Sequence, residues 1–317
     1  FLKEALPVPQ PSDETWRDYR DVCVLAFPTP AGDTGTPLIP LSVESNDSLN
    51  WTDCFQARLK SPLQLNEERD HVIHFTMPKG TVVRTLQMAN INSWNNRWVY
   101  QPDVHLKLTA HMPDHTSKTL LDMDVPMSNW QDIMDFEVAC NEAANAKSFE
   151  LSIRCKHPMS LAYARFYSGA RKNNWRAEAG WTLIAKELQQ EHTQQSKQAF
   201  VQGTSIIDLT DKMNKQGHLT WTAPKGQKWT VLRIGHVNSG RQNGPAPQEA
   251  TGWECNKLDP RGAEIQFANY VGRLFDGPLK GHLANGMLMD SWECCTQTWT
   301  NNMEQEFCSR TGYRLKQ

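Results

Sequence analysis

The sequence lacks both an excess of one charge and any long hydrophobic run. Its 317 residues include 33 Lys and Arg against 35 Asp and Glu, so the formal net charge is −2 (33 − 35). A chain without a basic excess does not attract nucleic acid or an anionic membrane surface by its charge. No apolar run approaches the ~20 residues that a membrane-spanning helix needs. We therefore expect no nucleic acid partner and no membrane span.

Sequence motifs of several enzyme classes are also absent. The chain contains no G-x-x-x-x-G-K-[ST], G-x-G-x-x-G, G-x-S-x-G or H-E-x-x-H pattern. Nucleotide-binding, serine hydrolase and zinc protease functions therefore lose their main sequence support.

The cysteines do not form a metal-binding pattern. There are eight, and none belongs to a C-x-x-C pair or to the histidine spacing of a structural zinc site. Cys294 and Cys295 are adjacent, which suits a simple disulfide framework poorly. Because Cys behaves as a small hydrophobe, we expect mostly free, buried thiols. The sequence identifies no metal ligand.

Aromatic side chains are plentiful, and the chain ends look cut. The 12 Trp and 11 Phe argue against disorder, and the length suggests about two domains. The sequence begins at Phe1 without a Met, a basic n-region or an apolar h-region, and it stops directly after a helical pattern. We expect an internal piece of a longer protein, in which the absence of a signal peptide says nothing about compartment.

Residues 36–190 show short strand patterns separated by turn residues. Polar and apolar side chains alternate over 71–76, 81–86, 104–109 and 149–155, and each run is predicted to form a strand. This pattern predicts an antiparallel β-sandwich of the galactose-binding or jelly-roll type, although a small barrel has the same local signature. Residues 1–35 are interpreted as a lead-in segment that contributes one strand.

The pattern changes after a Gln-rich stretch, and a domain boundary is predicted near residue 190. Strands predicted over 229–235 and 286–290 alternate with helices predicted over 263–275 and 301–310. Such alternation indicates part of a (β/α)8 barrel, which needs eight units in ~250 residues when it is closed. Residues 191–317 are therefore interpreted as a partial barrel and a catalytic region.

Two carboxylates lie three residues apart at the end of the second predicted strand. Asp290 and Glu293 flank Trp292 in the sequence DSWE. A carboxyl group beside an indole is desolvated, so it can stay protonated near neutral pH and act as a general acid. Asp290 could hold a sugar hydroxyl. The alternative is that one of the two carboxylates merely caps the following segment.

A second group of polar residues follows the first predicted strand. His236 and Asn238 come directly after it, and Glu254 and Lys257 lie in the long loop beyond. Because functional residues of βα barrels gather where strands end, these side chains are candidates for binding substrate. A short ion pair that shapes the loop is the other reading of Glu254 and Lys257.

Three tryptophans could stack on sugar rings. Trp253 lies in a polar loop, where ordinary core packing is a poor explanation, and Trp292 lies between the two carboxylates. For Trp299 we expect core packing.

Several segments, in order, resemble glycoside hydrolase family 106. They are IDLT at 207–210, GHLTWTAPKG at 217–226, WTVLRIG at 229–235, PAP at 245–247, GWECNK at 252–257, DSWE at 290–293 and FCSRTGY at 307–313. The resemblance is strongest over residues 204–313. One departure is Asn256, which stands where the pattern leads us to expect Asp, so that a charge-dependent role of this position is in doubt.

The resemblance implies an inverting α-L-rhamnosidase of bacteria, which removes terminal rhamnose from plant and pectic glycans in the periplasm or outside the cell. It implies Glu293 as the general acid, with Glu254 and Lys257 as substrate contacts. It also implies further barrel segments of the parent chain, a catalytic base beyond Gln317 and a calcium ion whose ligands are not identified here. The isolated fragment is then expected to be inactive.

Two other functions stay open. One is a related glycosidase that acts on another sugar. The other is a non-catalytic, carbohydrate-binding β-sandwich joined to a degenerate barrel remnant, with Trp94, Trp98 and Trp130 as glycan contacts or, alternatively, as sandwich core.

Overall fold

A computed structural model describes residues 2–5, 19–67, 69–89, 103–126, 135–173, 175, 194–282, 284–286, 288 and 297–316. Its strands are β1 (Leu2–Ala5), β2 (Arg20–Pro28), β3 (Ser42–Ser45), β4 (Leu63–Leu65), β5 (Asp70–Thr76), β6 (Thr85–Met88), β7 (Val104–His111), β8 (Ser117–Asp124), β9 (Phe136–Ala139), β10 (Ser148–Cys155), β11 (Met159–Leu161), β12 (Ala164–Tyr167), β13 (Ile207–Asp208), β14 (His218–Trp221) and β15 (Trp229–His236). Its helices are α1 (Trp51–Gln56), α2 (Pro260–Gln266), the π-helical turn Phe267–Val271, α3 (Gly272–Asp276) and α4 (Met303–Thr311), with short 3₁₀ turns at Lys197–Ala199, Gly203–Ser205, Thr210–Lys212 and Gln248–Ala250. None of the described helices has the length and apolar character to cross a bilayer.

Antiparallel sheets packed face to face form the first large unit. One sheet has the strand order β3-β5-β10-β7-β8, and the facing strands are ordered β12-β6-β9 and β11-β4. Phe75 of β5 stacks on Phe149 of β10, and across the interface on Phe166 of β12 with ring centroids 4.7 Å apart. Period-two alternation puts these rings on inner faces. The predicted antiparallel sandwich is confirmed for the described residues.

Helix α1 closes one side of this core. Trp51, Cys54 and Phe55 are buried, and the Phe55 ring meets the edges of Phe75 and Phe166. The helix begins at this point because the side chain of the preceding residue, Asn50, accepts the Asp53 N–H and satisfies a donor that has no partner within the helix.

A buried polar network stabilises the segment before α1. The Nε2 atom of His71 accepts the N–H of Asn66, so its Nδ1–H donates to the Asp47 carboxylate at 2.7 Å. Burial acts to raise the pKa of Asp47, but donors from His71, Leu49 and Trp51 outweigh it, and the pKa lies below its ordinary value.

The strand predicted over 81–86 is wrong for residues 81–84, since β6 begins at Thr85. The backbone N–H of Arg84 bonds to the carbonyl of Tyr167 outside any regular ladder. Its buried side chain pairs with Glu142 and donates to the carbonyl of Ser168. A period-two sequence pattern does not show that a buried arginine has such hydrogen-bond partners.

The described residues outside the sandwich are called the second unit. It contains a smaller antiparallel sheet with the strand order β13-β2-β15. The predicted lead-in strand is confirmed as β2, and it pairs with β15 and β13 rather than with the sandwich. The expectation of a single strand in residues 1–35 is wrong, because β1 lies there too and pairs with β14. Val24, Ala26, Leu209 and Leu219 make the small core of the second unit. All strand pairs in the described residues are antiparallel, so the barrel portion is not shown there. The boundaries at 35 and 190 stay predictions, and most of the strand predicted over 286–290 lies outside the described residues.

Both predicted helices of the last third are confirmed. Helical structure runs through α2, the π turn and α3, and it begins where the Asp259 carboxylate accepts the N–H of Arg261. The side chain of Arg261 also holds the pKa of Asp259 down to about 2. Helix α4 ends at Gly312, whose φ of 78° and N–H bond to the carbonyl of Cys308 form a left-handed cap.

The six described cysteines are free thiols. Cys255 and Cys308 are exposed, while the others, Cys23, Cys54, Cys140 and Cys155, are buried. Burial raises the pKa of Cys54, Cys140 and Cys155 to about 12, which makes them poor nucleophiles.

Candidate functional site

The end of β15 carries the first candidate residue, His236, and is held by its neighbour β2. A register shift falls between Ile234 and Gly235. A Cβ added to Gly235 would lie 2.3 Å from the ring of Tyr19, so only glycine allows this approach. Arg233 makes two hydrogen bonds to the Asp21 carboxylate, at 2.6 and 2.8 Å, and Arg233 keeps the pKa of Asp21 below its ordinary value. These contacts of Gly235 and Arg233 hold the end of β15, and with it the backbone of His236, against β2.

The long loop after β15 folds back on itself. Gln242 and Trp253 form an antiparallel bridge, and the N–H of Glu254 donates to the carbonyl of Arg241 at 3.0 Å. The side chain of Asn243 accepts the N–H of Gly252 and donates to the carbonyl of residue 250. An amide side chain can do both at once, so it ties the loop without a regular ladder.

Glu254 and Lys257 form an ion pair within this loop. The Nζ of Lys257 donates to an Oε of Glu254, and their side chains are 27% and 16% exposed. The ion-pair reading is thus confirmed. Since a carboxylate accepts and an ammonium donates hydrogen bonds, a partly exposed pair can also bind neighbouring hydroxyl groups of a sugar.

Residues 297–300 are tied directly to the Glu254–Lys257 turn. The Gln297 side chain accepts the N–H of Lys257 at 2.7 Å and donates to the carbonyl of Cys255 at 2.9 Å. The Nδ2 of Asn256 donates to the hydroxyl of the buried Thr300 at 2.9 Å. This contact is a second tie between the turn and residues 297–300.

The same segment also reaches the end of β15. The rings of Trp299 and His236 lie 6.2 Å apart between centroids, with planes 31° from parallel. Trp299 is half-buried, and it lies outside the two core clusters of the described residues. Residues 297–300 thus contact both the end of β15, through Trp299 and His236, and the Glu254–Lys257 turn, through Gln297.

Two other candidates are exposed. Trp253 is 63% exposed although its backbone bridges Gln242, so its indole is available for stacking on a ligand. Asn238 is exposed two residues past the end of β15.

The remaining candidates lie outside the described residues. These are Asp290, Trp292 and Glu293 in the catalytic segment, and Trp94, Trp98 and Trp130 in the sandwich. Their roles stay predictions.

Sequence reasoning missed three residues that hold this region together. Gln297 and Thr300 tie two segments, and Asn243 closes the loop. The available signal was weak: Gln297 and Thr300 are the polar residues that follow the DSWE segment, at a point where a buried strand was expected to lead into a helix.

The expected calcium ion stays a prediction. Calcium takes six to eight oxygen ligands. Among the described His, Cys, Asp and Glu side chains, the group of three that converges consists of two histidines and one glutamate on the sandwich, which is not a set of oxygen ligands. No step of the chemistry is therefore assigned to calcium.

Known proteins resemble the chain in sequence over part or all of its length. A protein of Formosa agariphila that is provisionally named a β-glucuronidase is 35% identical over 120 residues. That match covers 37% of this chain and 10% of the relative, so the chain corresponds to a small part of that protein's length.

Solved structures resemble it only weakly. The family 32 carbohydrate-binding module of Streptococcus pneumoniae EndoD matches with a TM-score of 0.33 and 8% identity, over 42% of this chain and 99% of that one. An F5/8 type C domain of Bacteroides fragilis matches with a TM-score of 0.32 and 9% identity, over 41% and 92%. TM-scores this low carry no argument about the chain.

The decisive match is to a family. The family model of glycoside hydrolase family 106, described as α-L-rhamnosidase, matches residues 3–317. Because that match spans nearly the whole sequence and includes the Glu254–Lys257 turn and the segment bound to it, the chain belongs to glycoside hydrolase family 106.

Proposed function

We propose that the protein containing this chain is an inverting α-L-rhamnosidase, which removes terminal rhamnose from plant or pectic glycans with Glu293 as its general acid. Family membership supports glycoside hydrolysis in general. The description of that family as α-L-rhamnosidase supports the choice of sugar. The observation that supports Glu293 as the acid is the double hydrogen bond of Gln297 to the Glu254–Lys257 turn.

That contact matters because Gln297 follows Glu293 by only four residues. Four extended residues span at most about 14 Å. Chain connectivity therefore keeps Glu293 within that distance of a residue bonded to the candidate sugar-binding turn. A general acid and its substrate contacts must share one cleft, and this constraint is compatible with such a cleft.

In the proposed reaction, Glu293 donates a proton to the glycosidic oxygen as the bond to the sugar breaks. Glu254 and Lys257 bind hydroxyl groups, and Trp253 or Trp292 covers an apolar sugar face. A second carboxylate, outside this chain, removes a proton from the attacking water. Inversion requires the two carboxyl groups to lie about 6.5–9.5 Å apart, with room for that water.

The test is a leaving-group comparison in the full-length protein. Glu293→Gln should slow hydrolysis of a rhamnoside with a poor leaving group about 10²–10⁴-fold, because such a bond needs the proton. An activated dinitrophenyl rhamnoside should be hydrolysed much closer to the wild-type rate. NMR of the first product formed should show the inverted anomer.

The matched control is Glu264→Gln, which changes an exposed carboxylate on α2 in the same way. It should leave both rates unchanged. If Glu293→Gln hydrolyses the poor substrate at near-normal rates, Glu293 is not the general acid.

A second candidate function is hydrolysis of another sugar. The provisional name of the Formosa relative favours testing β-glucuronides beside rhamnosides. Release from a glucuronide, with none from the rhamnoside, would keep the glycosidase function and replace the substrate. Glycan binding without release from any glycoside would instead favour the carbohydrate-binding function.

We also propose a periplasmic or secreted location and a calcium requirement, because the family resemblance implies both. Chelation of the full-length enzyme, followed by calcium return, tests the second. Unchanged activity after complete removal of calcium would exclude it.

A further inference from the structure

The outer face of the five-stranded sheet carries two histidines and a glutamate on three neighbouring strands. His74 lies on β5, Glu150 on the central strand β10 and His111 on β7. One nitrogen or oxygen of each lies within 4.8 Å of the others. Among the residues that the structure describes, no other set of three His, Cys, Asp or Glu side chains converges in this way.

Strand register produces this convergence. Glu150 is the direct cross-strand partner of His74, so both side chains leave the same face of the sheet. His111 pairs with Ser148, which places it diagonal to Glu150 on that face. Residues two apart on a strand share a face, and long side chains reach across the diagonal.

The distances are close to those of a metal site. His74 Nδ1 lies 3.6 Å and His111 Nε2 lies 3.9 Å from the same oxygen of Glu150. Ligands at the usual zinc distances are about 3.3 Å apart in a tetrahedron. The three side chains are 55%, 36% and 32% exposed, so small rotations can close the gap without moving the core.

A further contact orients one of the imidazoles. The Nδ1 of His111 lies 3.0 Å from the hydroxyl of Ser117 on β8. When Nδ1 donates to this hydroxyl, Nε2 carries a lone pair and faces Glu150. Metal-binding histidines usually have such a partner on the nitrogen that does not bind the metal.

From this geometry we propose that His74, His111 and Glu150 bind one zinc ion on the outer face of the sandwich. Two neutral imidazoles and a carboxylate leave a fourth position for water, which faces solvent. The ion bridges β5, β10 and β7. This donor set suits zinc and related transition metals, whereas calcium and magnesium prefer oxygen ligands alone. The site is separate from the proposed glycosidase function.

The experiment is calorimetric titration of the metal-free, full-length protein with zinc chloride. We expect His74→Gln and Glu150→Gln each to bind one zinc fewer per chain than wild type. Zinc should also raise the melting temperature of the sandwich in wild type by a few degrees, since a ligand that binds only the native state stabilises it. The melting temperature of the sandwich in the two variants should not change. A large excess of calcium should not displace the ion.

The matched control is His105→Gln, on the same strand and the same face as His111 but paired with Asp122 and Asp124. It should keep the full zinc stoichiometry. Circular dichroism of the metal-free variants checks that the sandwich is folded. Equal zinc stoichiometry in wild type, His74→Gln and Glu150→Gln, or displacement of the ion by calcium, would overturn the proposal.

Discussion

The two units of the chain bury their apolar residues to very different extents. The sandwich encloses large rings such as Phe75, Phe149 and Phe166, all at most 1% exposed. In the second unit, the helical segment from α2 to α3 exposes Phe267 at 58% and Tyr270 at 62%. The small core of the second unit, around the β13-β2-β15 sheet, consists of four buried residues among those described.

This difference separates stability from function. The sandwich is stabilised by burial, which is non-directional and scales with apolar area. The candidate site is joined by hydrogen bonds between side chains and loop backbone, as at Gln297 and Asn243. Substitutions in the first unit should therefore change stability, and polar substitutions in the second should change activity.

The largest expected effect comes from removing a stacked ring. Phe75→Ala should lower the free energy of unfolding of the sandwich by about 3–5 kcal/mol, because it removes a large buried side chain and leaves a cavity. Hydrogen exchange of β5 and β10 in the full-length protein measures this local stability.

Leu41→Ala is the matched control beside the same sheet. Because Leu41 is 70% exposed, the change should cost only about 0.5 kcal/mol. Equal losses for the two substitutions would contradict the role of buried rings in the stability of the sandwich.

A smaller loss is expected at the buried carboxylate of the sandwich. Asp47→Ala leaves the donors of His71, Trp51 and Leu49 without their acceptor and should cost about 2–3 kcal/mol. Asp53→Ala, which changes an exposed aspartate of α1, is the control and should cost less than about 1 kcal/mol. Urea denaturation monitored at the sandwich transition checks both.

Asp47 also predicts a pH dependence. Its pKa is lowered in the folded state, so its contribution is present above the ordinary value of 3.8 and is lost as pH falls through the lower folded value. Asp47→Asn should flatten the stability curve in that acid range. An unchanged curve would exclude Asp47 as its source.

Sequence patterns predicted the sandwich better than the second unit, for a physical reason. Runs such as 149–155 alternate because one face is buried, and β10 occupies that position. The pairing of β2 with β15 joins residues about 200 positions apart, which no local pattern encodes. Arg84 also breaks the pattern, because its buried charge is paired with Glu142.

The candidate site was partly predictable. Glu254, Lys257 and His236 are predictable as candidates because they follow a strand, and the ion pair between the first two is present. The role of Gln297 depends on a tertiary contact with a turn forty residues earlier, to which neither charge nor spacing points.

The smallest expected effect tests that contact. Gln297→Ala removes two hydrogen bonds to the Glu254–Lys257 turn and should lower kcat/KM of the full-length enzyme about tenfold, equivalent to about 1.4 kcal/mol. Sandwich stability should not change. The control is Gln248→Ala, an exposed glutamine of the same loop, which should retain wild-type kinetics. A loss of sandwich stability in Gln297→Ala, with unchanged kinetics, would contradict the division between the two units.

The central claim is that the second unit belongs to a working rhamnosidase site. The most direct measurement is hydrolysis of p-nitrophenyl α-L-rhamnoside by the full-length protein, beside a panel of other aryl glycosides that includes the β-glucuronide. We predict release from the rhamnoside and little or none from the others. Absence of release from the rhamnoside by a folded, metal-replete protein would contradict the account.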